Sequence, residues 1–160
     1  MKELTDYERQ KQKNKKKDEI KKCDVCGQIV LVDQFGNGEC ENCGWVQNVI
    51  NKNHPNKVLY PNLVSLEKAK RLYAGGMKIT PSIDDFLDAL FAYSEMLFNY
   101  NGKVYEVYLS GDENQDTIVL SDGARNFEFF SRKEFIENAS VCGERLKDVW
   151  SDVQDARFMS

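Results

Sequence analysis

The spacing of apolar positions changes character several times along the chain. Residues 1–22, MKELTDYERQKQKNKKKDEIKK, hold few apolar side chains, among them Leu4, Tyr7 and Ile20, and no stripe able to dock on a core. Ile29 to Val32 is a run of four aliphatics suited to a short strand, Gly36-Asn37-Gly38 suits a hairpin turn, and Trp45 and Val46 resume as strand. An Asn-rich, proline-marked stretch, NVINKNHPNKVLYPN, then reads as linker. Beyond it the period becomes helical. Ser65 can cap a helix whose Leu66, Ala69, Leu72 and Tyr73 share a face and which stops at Gly75 and Gly76. A second helix opens at Ser82, with Asp85 in the reciprocal capping position. Its Ile83, Phe86, Leu87, Leu90 and Phe91 recur at core spacing.

From residue 95 the period falls to two. EMLFNYNGKVYEVYLS predicts a hairpin turning at Asn101-Gly102, in which Tyr100 faces Lys103, Phe98 faces Tyr105 and Met96 faces Val107. DTIVLSDGARNFEFF repeats the pattern around Asp122-Gly123, with Ile118, Leu120, Phe127 and Phe129 on one face. Together they predict a four-stranded antiparallel sheet. Ser131 and Glu134 form a capping box for a third helix, with Phe130 and Phe135 in the staple positions, and a last helix presents Leu146, Val149, Trp150 and Val153. The predicted class is α+β, with a small N-terminal module ahead of a small domain whose four-stranded sheet is packed by helices. Its parts are a basic solvated arm over 1–22, the small module over 23–50, a linker over 51–62 and the α+β domain over 63–160.

Charge separates the arm from the rest. Residues 1–22 hold nine Lys/Arg against five Asp/Glu, and the remainder holds thirteen against twenty-one, so a net +4 arm precedes a net −8 body. No apolar run is long enough for a signal-peptide core or a bilayer span, so a cytoplasmic protein with no membrane partner is expected. In a reducing compartment, closely spaced cysteines act as metal ligands more often than as disulfides.

Cys23, Cys26, Cys40 and Cys43 give C-x2-C-x13-C-x2-C, close to the spacing of structural zinc sites. Gly27 and Gly44 each follow the second cysteine of a pair, where a left-handed residue lets the chain leave the metal. Four thiolates fill a tetrahedron, which makes Zn2+ structural and the module over 23–50 a zinc ribbon. A dithiol redox pair and an iron–sulfur cluster are the competing readings of the same residues, and zinc is preferred. His54, the single histidine, reads as a solvated loop residue, and Cys142 as a small buried side chain near a helix end. Phosphate recognition by the ribbon is disfavoured, because residues 23–51 contain no Lys or Arg while Asp24, Asp33, Glu39 and Glu41 are present.

CDVCG…CENCGW followed by LVSLEKAKRLY resembles the cysteine-rich CPCC family of small bacterial proteins over Cys23 to Tyr73; the first knuckle reads Cys-Asp-Val-Cys, with no proline. The resemblance implies a metal-held module, in toxin-immunity settings among others, and no active site. No phosphate-binding glycine loop, nucleophile elbow or second histidine is present, so a non-enzymatic chain is expected. The function expected is a protein-binding module, an immunity or inhibitor protein against a basic toxin or enzyme. Its partner-binding residues are Glu95, Leu97, Val104, Glu106 and Tyr108, on the second face of the first hairpin, where apolar anchors are ringed by charge. The alternative is a nucleic-acid-associated accessory protein using Lys11 to Lys22.

Overall fold

The computed structural model describes residues 19–112 and 115–159. The greater part of the basic arm therefore lies outside the described residues. The chain builds two compact units, and neither is one continuous segment. The first runs through Lys57 and takes up Leu66–Ile79; the second consists of Val58–Ser65 and the chain from Thr80 onward.

In the first unit, strand β1 (Glu19–Lys22) pairs antiparallel with β2 (Ile29–Val32), Glu19 opposite Val32 and Lys22 opposite Ile29. The end of the expected arm is thus a strand, though a solvated one. Val30 and Val32 point inward and are buried, while Ile29 and Leu31 face outward. A second short pair joins β3 (Gly38–Glu39) to β4 (Val46–Gln47). Gly38 is required by close approach, because a Cβ there would lie 2.1 Å from the carbonyl oxygen of Leu31. Helix α1 (Val49–Asn53) occupies sequence that reads as linker; Asn48 caps it by accepting from the amides of Ile50 and Asn51. Helix α2 (Leu66–Ala74) buries Leu66 and Ala69 but leaves Tyr73 exposed.

In the second unit, Ser82 and Asp85 form the reciprocal capping box that starts α3 (Ile83–Tyr93), and Phe86, Leu87 and Leu90 are fully buried. Phe91 instead stays partly exposed beneath the Arg132 guanidinium, 5.7 Å from its ring centroid. Strands β5 (Glu95–Tyr100) and β6 (Lys103–Asp112) pair in the predicted register, with Met96 opposite Val107 and Phe98 opposite Tyr105. Both turn residues, Asn101 and Gly102, have positive φ, as a type I′ turn demands. β7 (Gln115–Ser121) and β8 (Asn126–Phe129) follow, with Leu120 opposite Phe127.

The sheet has five strands, not the four predicted. Its order is β11-β5-β6-β7-β8, the fifth strand being β11 (Gln154–Phe158) on the free edge of β5. A bulge between Gln154 and Arg157, with Asp155 at φ 52°, breaks the alternation that marks a strand in sequence. The predicted last helix is correspondingly short: α5 (Leu146–Val149) gives way to a 3-10 turn over Trp150–Asp152. Trp150 still serves the core, packing edge-on against Phe86 with centroids 5.3 Å apart and donating Nε1–H to the Pro81 carbonyl at 2.9 Å.

Helix α4 (Arg132–Asn138) is capped by Ser131, which accepts from the Glu134 amide at 3.0 Å. The Glu134 carboxylate accepts from the Phe130 amide, and Phe129, rather than the exposed Phe130, packs against Phe135. Between α4 and α5, β9 (Ser140–Val141) and β10 (Glu144–Arg145) make a minimal hairpin turning at Cys142-Gly143. Cys142 is therefore exposed rather than buried at a helix end, and its Sγ lies 3.3 Å from the Tyr105 hydroxyl.

Candidate metal centre

The two knuckles repeat one backbone design. In the first, Cys23 N–H donates to the Gln28 carbonyl at 2.7 Å and Gly27 N–H to the Cys23 carbonyl at 2.9 Å; in the second, Cys40 N–H donates to Trp45 and Gly44 N–H to Cys40, each at 2.8 Å. Gly27 and Gly44 adopt φ of 76° and 79° with open space where a Cβ would lie, so it is backbone conformation that selects glycine there.

This repetition brings all four thiols together. Their sulfur atoms lie within 4.8 Å of one another, with close approaches across the two knuckles: Cys23 to Cys43 at 3.6 Å and Cys26 to Cys40 at 3.5 Å. Zinc–thiolate bonds of about 2.3 Å in a tetrahedron place sulfurs about 3.8 Å apart, so the donor set has the size and the soft chemistry that such an ion needs. The thiols are free, and their separations are far beyond a disulfide bond of about 2.05 Å.

The surroundings tune these thiols unequally. Burial pushes Cys23 and Cys43 up from the ordinary thiol range, against backbone hydrogen bonds that pull the other way. Burial also raises Cys26, but hydrogen bonds from the Asn42 side chain and the Gln28 backbone outweigh it and bring Cys26 down to about 7. A metal ion would displace the protons that burial retains. Behind the ligands, buried Gln47 grips the first knuckle with both ends of its amide: Oε1 accepts from Asp24 N–H at 2.8 Å, and Nε2 donates to the Asp24 carboxylate at 3.0 Å. Spacing rules detect the cysteines and miss Gln47 and Asn42, because a lone amide in a polar stretch carries no distinguishing pattern.

The other candidate residues lie elsewhere. His54 is exposed at the end of α1. On the second unit's sheet, the register sets Glu95 opposite Tyr108, Leu97 opposite Glu106, and Asn99 opposite Val104, so the five expected partner-binding residues share a face. Val104 is the most exposed and the other four are half-buried. The added strand β11 sets Arg157 opposite Leu97 on this face. Burial, together with a hydrogen bond to Glu95 and its nearby charge, raises Glu106 above the ordinary carboxylate range.

Residues 21–78 match the family described as Cysteine-rich CPCC. The match spans both knuckles and α2, ending one residue before Ile79, where the first unit ends. This segment is similar to that family, and the chain beyond residue 78 falls outside the match. No curated protein and no solved structure matches the chain.

Proposed function

We propose that the chain is a zinc-stabilised, non-catalytic protein-binding module of the zinc-ribbon kind. The observation that carries the reading is the closed set of four sulfurs on two equivalent knuckles, within 4.8 Å of one another. Four thiolates around one ion leave no coordination position for water or substrate, and an ion so enclosed serves folding. Binding is assigned to the sheet face that carries Glu95, Leu97, Val104, Glu106 and Tyr108, with a basic protein as partner, in an immunity or inhibitor role. Support comes from the acidic body and from the mixture of aliphatic, aromatic and acidic side chains on that face.

Elemental analysis of purified protein tests the metal. One zinc per chain, lost in a Cys40→Ser/Cys43→Ser variant, is the expected result; zinc-free protein, or full retention in the variant, refutes it. For binding, Glu95→Lys/Glu106→Lys should slow association at low salt and Tyr108→Ala should speed dissociation. Unchanged rates for both variants in a folded chain would remove this face from the interface.

A further inference from the structure

We propose that the outer face of the β1–β2 hairpin docks on an anionic phospholipid bilayer. The register places Ile20 opposite Leu31 and Lys22 opposite Ile29, all on the side away from buried Val30 and Val32. Ile20, Ile29 and Leu31 are 70%, 73% and 61% exposed, and Phe35, in the turn after β2, is 71% exposed. Adjoining aliphatic side chains exposed to this degree form an apolar patch of the kind that marks a membrane or protein contact.

Charge identifies the occupant. Residues 9–22, which end in β1 itself, contain eight Lys/Arg and two Asp/Glu. A basic cluster of this density, continuous in sequence with the strand that carries Ile20 and Lys22, supplies with the apolar patch both signals that reversible bilayer attachment needs, insertion of side chains and attraction to lipid phosphates. A second copy of the chain fits poorly, because a face-to-face pair would set Lys22 of one copy against a face of like charge with no acidic partner opposite it. Nucleic acid fits poorly too, since the exposed face offers a phosphate backbone aliphatic side chains. No helix among the described residues is long and apolar enough to cross a membrane, and a surface contact of this kind needs none. The expectation of no membrane partner came from the lack of a spanning segment, and alternation along β2 alone does not reveal that its outward residues meet Ile20.

Co-sedimentation of the full-length, metal-loaded protein tests the proposal, using vesicles of phosphatidylcholine with about 30% phosphatidylglycerol against phosphatidylcholine alone. Binding to the anionic vesicles only is expected. It should fall at least about tenfold when salt is raised from about 0.1 to 0.5 M, and by a similar factor in Ile29→Ser/Leu31→Ser and in Lys21→Ser/Lys22→Ser. The substituted side chains are exposed, and fluorescence of buried Trp45 verifies that each variant keeps the first unit folded. Absence of binding to anionic vesicles overturns the proposal, as does full binding by the folded Ile29→Ser/Leu31→Ser variant. Retention by polyglutamate or a single-stranded oligonucleotide, with none by vesicles, would assign the surface to an acidic protein or to nucleic acid instead.

Discussion

Removing the Gln47 amide should weaken metal binding although Gln47 touches no metal. Gln47→Ala deletes two hydrogen bonds to Asp24, one to its amide at 2.8 Å and one to its carboxylate at 3.0 Å. A neutral bond of this type contributes about 1 kcal/mol and one to a charged acceptor about 1.5–3 kcal/mol. Part of that loss is recovered, because the Asp24 carboxylate is 17% exposed and keeps Lys52 at 3.8 Å. The net cost is about 2 kcal/mol, and where metal binding and folding are one equilibrium it appears as an affinity loss of about thirtyfold. Competition for Co2+ between the protein and a chelator, followed by thiolate charge-transfer absorbance, measures it. Gln47→Met preserves volume without the hydrogen bonds and should lose nearly as much, which separates bonding from packing. Affinities within about threefold of wild type in both variants would show that the clamp does not hold the knuckle in place for the metal.

Two further outcomes concern the second unit. Trp150→Ala should lower its stability by about 3 kcal/mol in a urea titration, because the indole packs on Phe86 and Phe98 but is only half-buried, and an unchanged midpoint would contradict this. In alkali, Tyr100 is held up to about 12 by the hydrogen bond it donates to Glu144, and Tyr105 to about 12 by burial and by Cys142. Because these folded-state values lie above the ordinary value of about 10, the stabilisation is complete below about pH 10 and is lost as pH rises toward 12. Phenolate absorbance should show Tyr100 and Tyr105 titrating late, together with unfolding, and Tyr100→Phe and Tyr105→Phe should each remove one late phase; ionisation of both near about 10 in a folded chain would refute it.

The residues that the sequence identified most directly are those whose geometry depends on neighbours a few positions away. Cys23, Cys26, Cys40 and Cys43 declare themselves by spacing, and the Asn101-Gly102 turn sets the β5–β6 register before any distant contact is considered. The elements that differ from the local pattern depend on residues far away. β11 is a strand because the edge of β5 was free to receive it, and its bulge hides the alternation. Cys142 reads locally as a core residue, but the pairing of Ser140–Val141 with Glu144–Arg145 places it in a turn. Proximity in sequence places the Leu66–Ala74 helix with the domain that follows, yet it groups with the cysteine-bearing unit, and no local pattern encodes that preference.

The interleaving of the two units has a consequence for how the chain is made and cut. During synthesis the first unit cannot be completed when its last cysteine emerges, since it awaits Leu66–Ile79, and by then residues 58–65, destined for the other unit, have already been made. A fragment ending at Lys57 would lack α2, while one spanning residues 21–78 would carry Val58 and Leu63 without the core they pack against. Expressing either half alone therefore leaves apolar side chains without their partners, and a cut anywhere between Lys57 and Thr80 divides at least one unit.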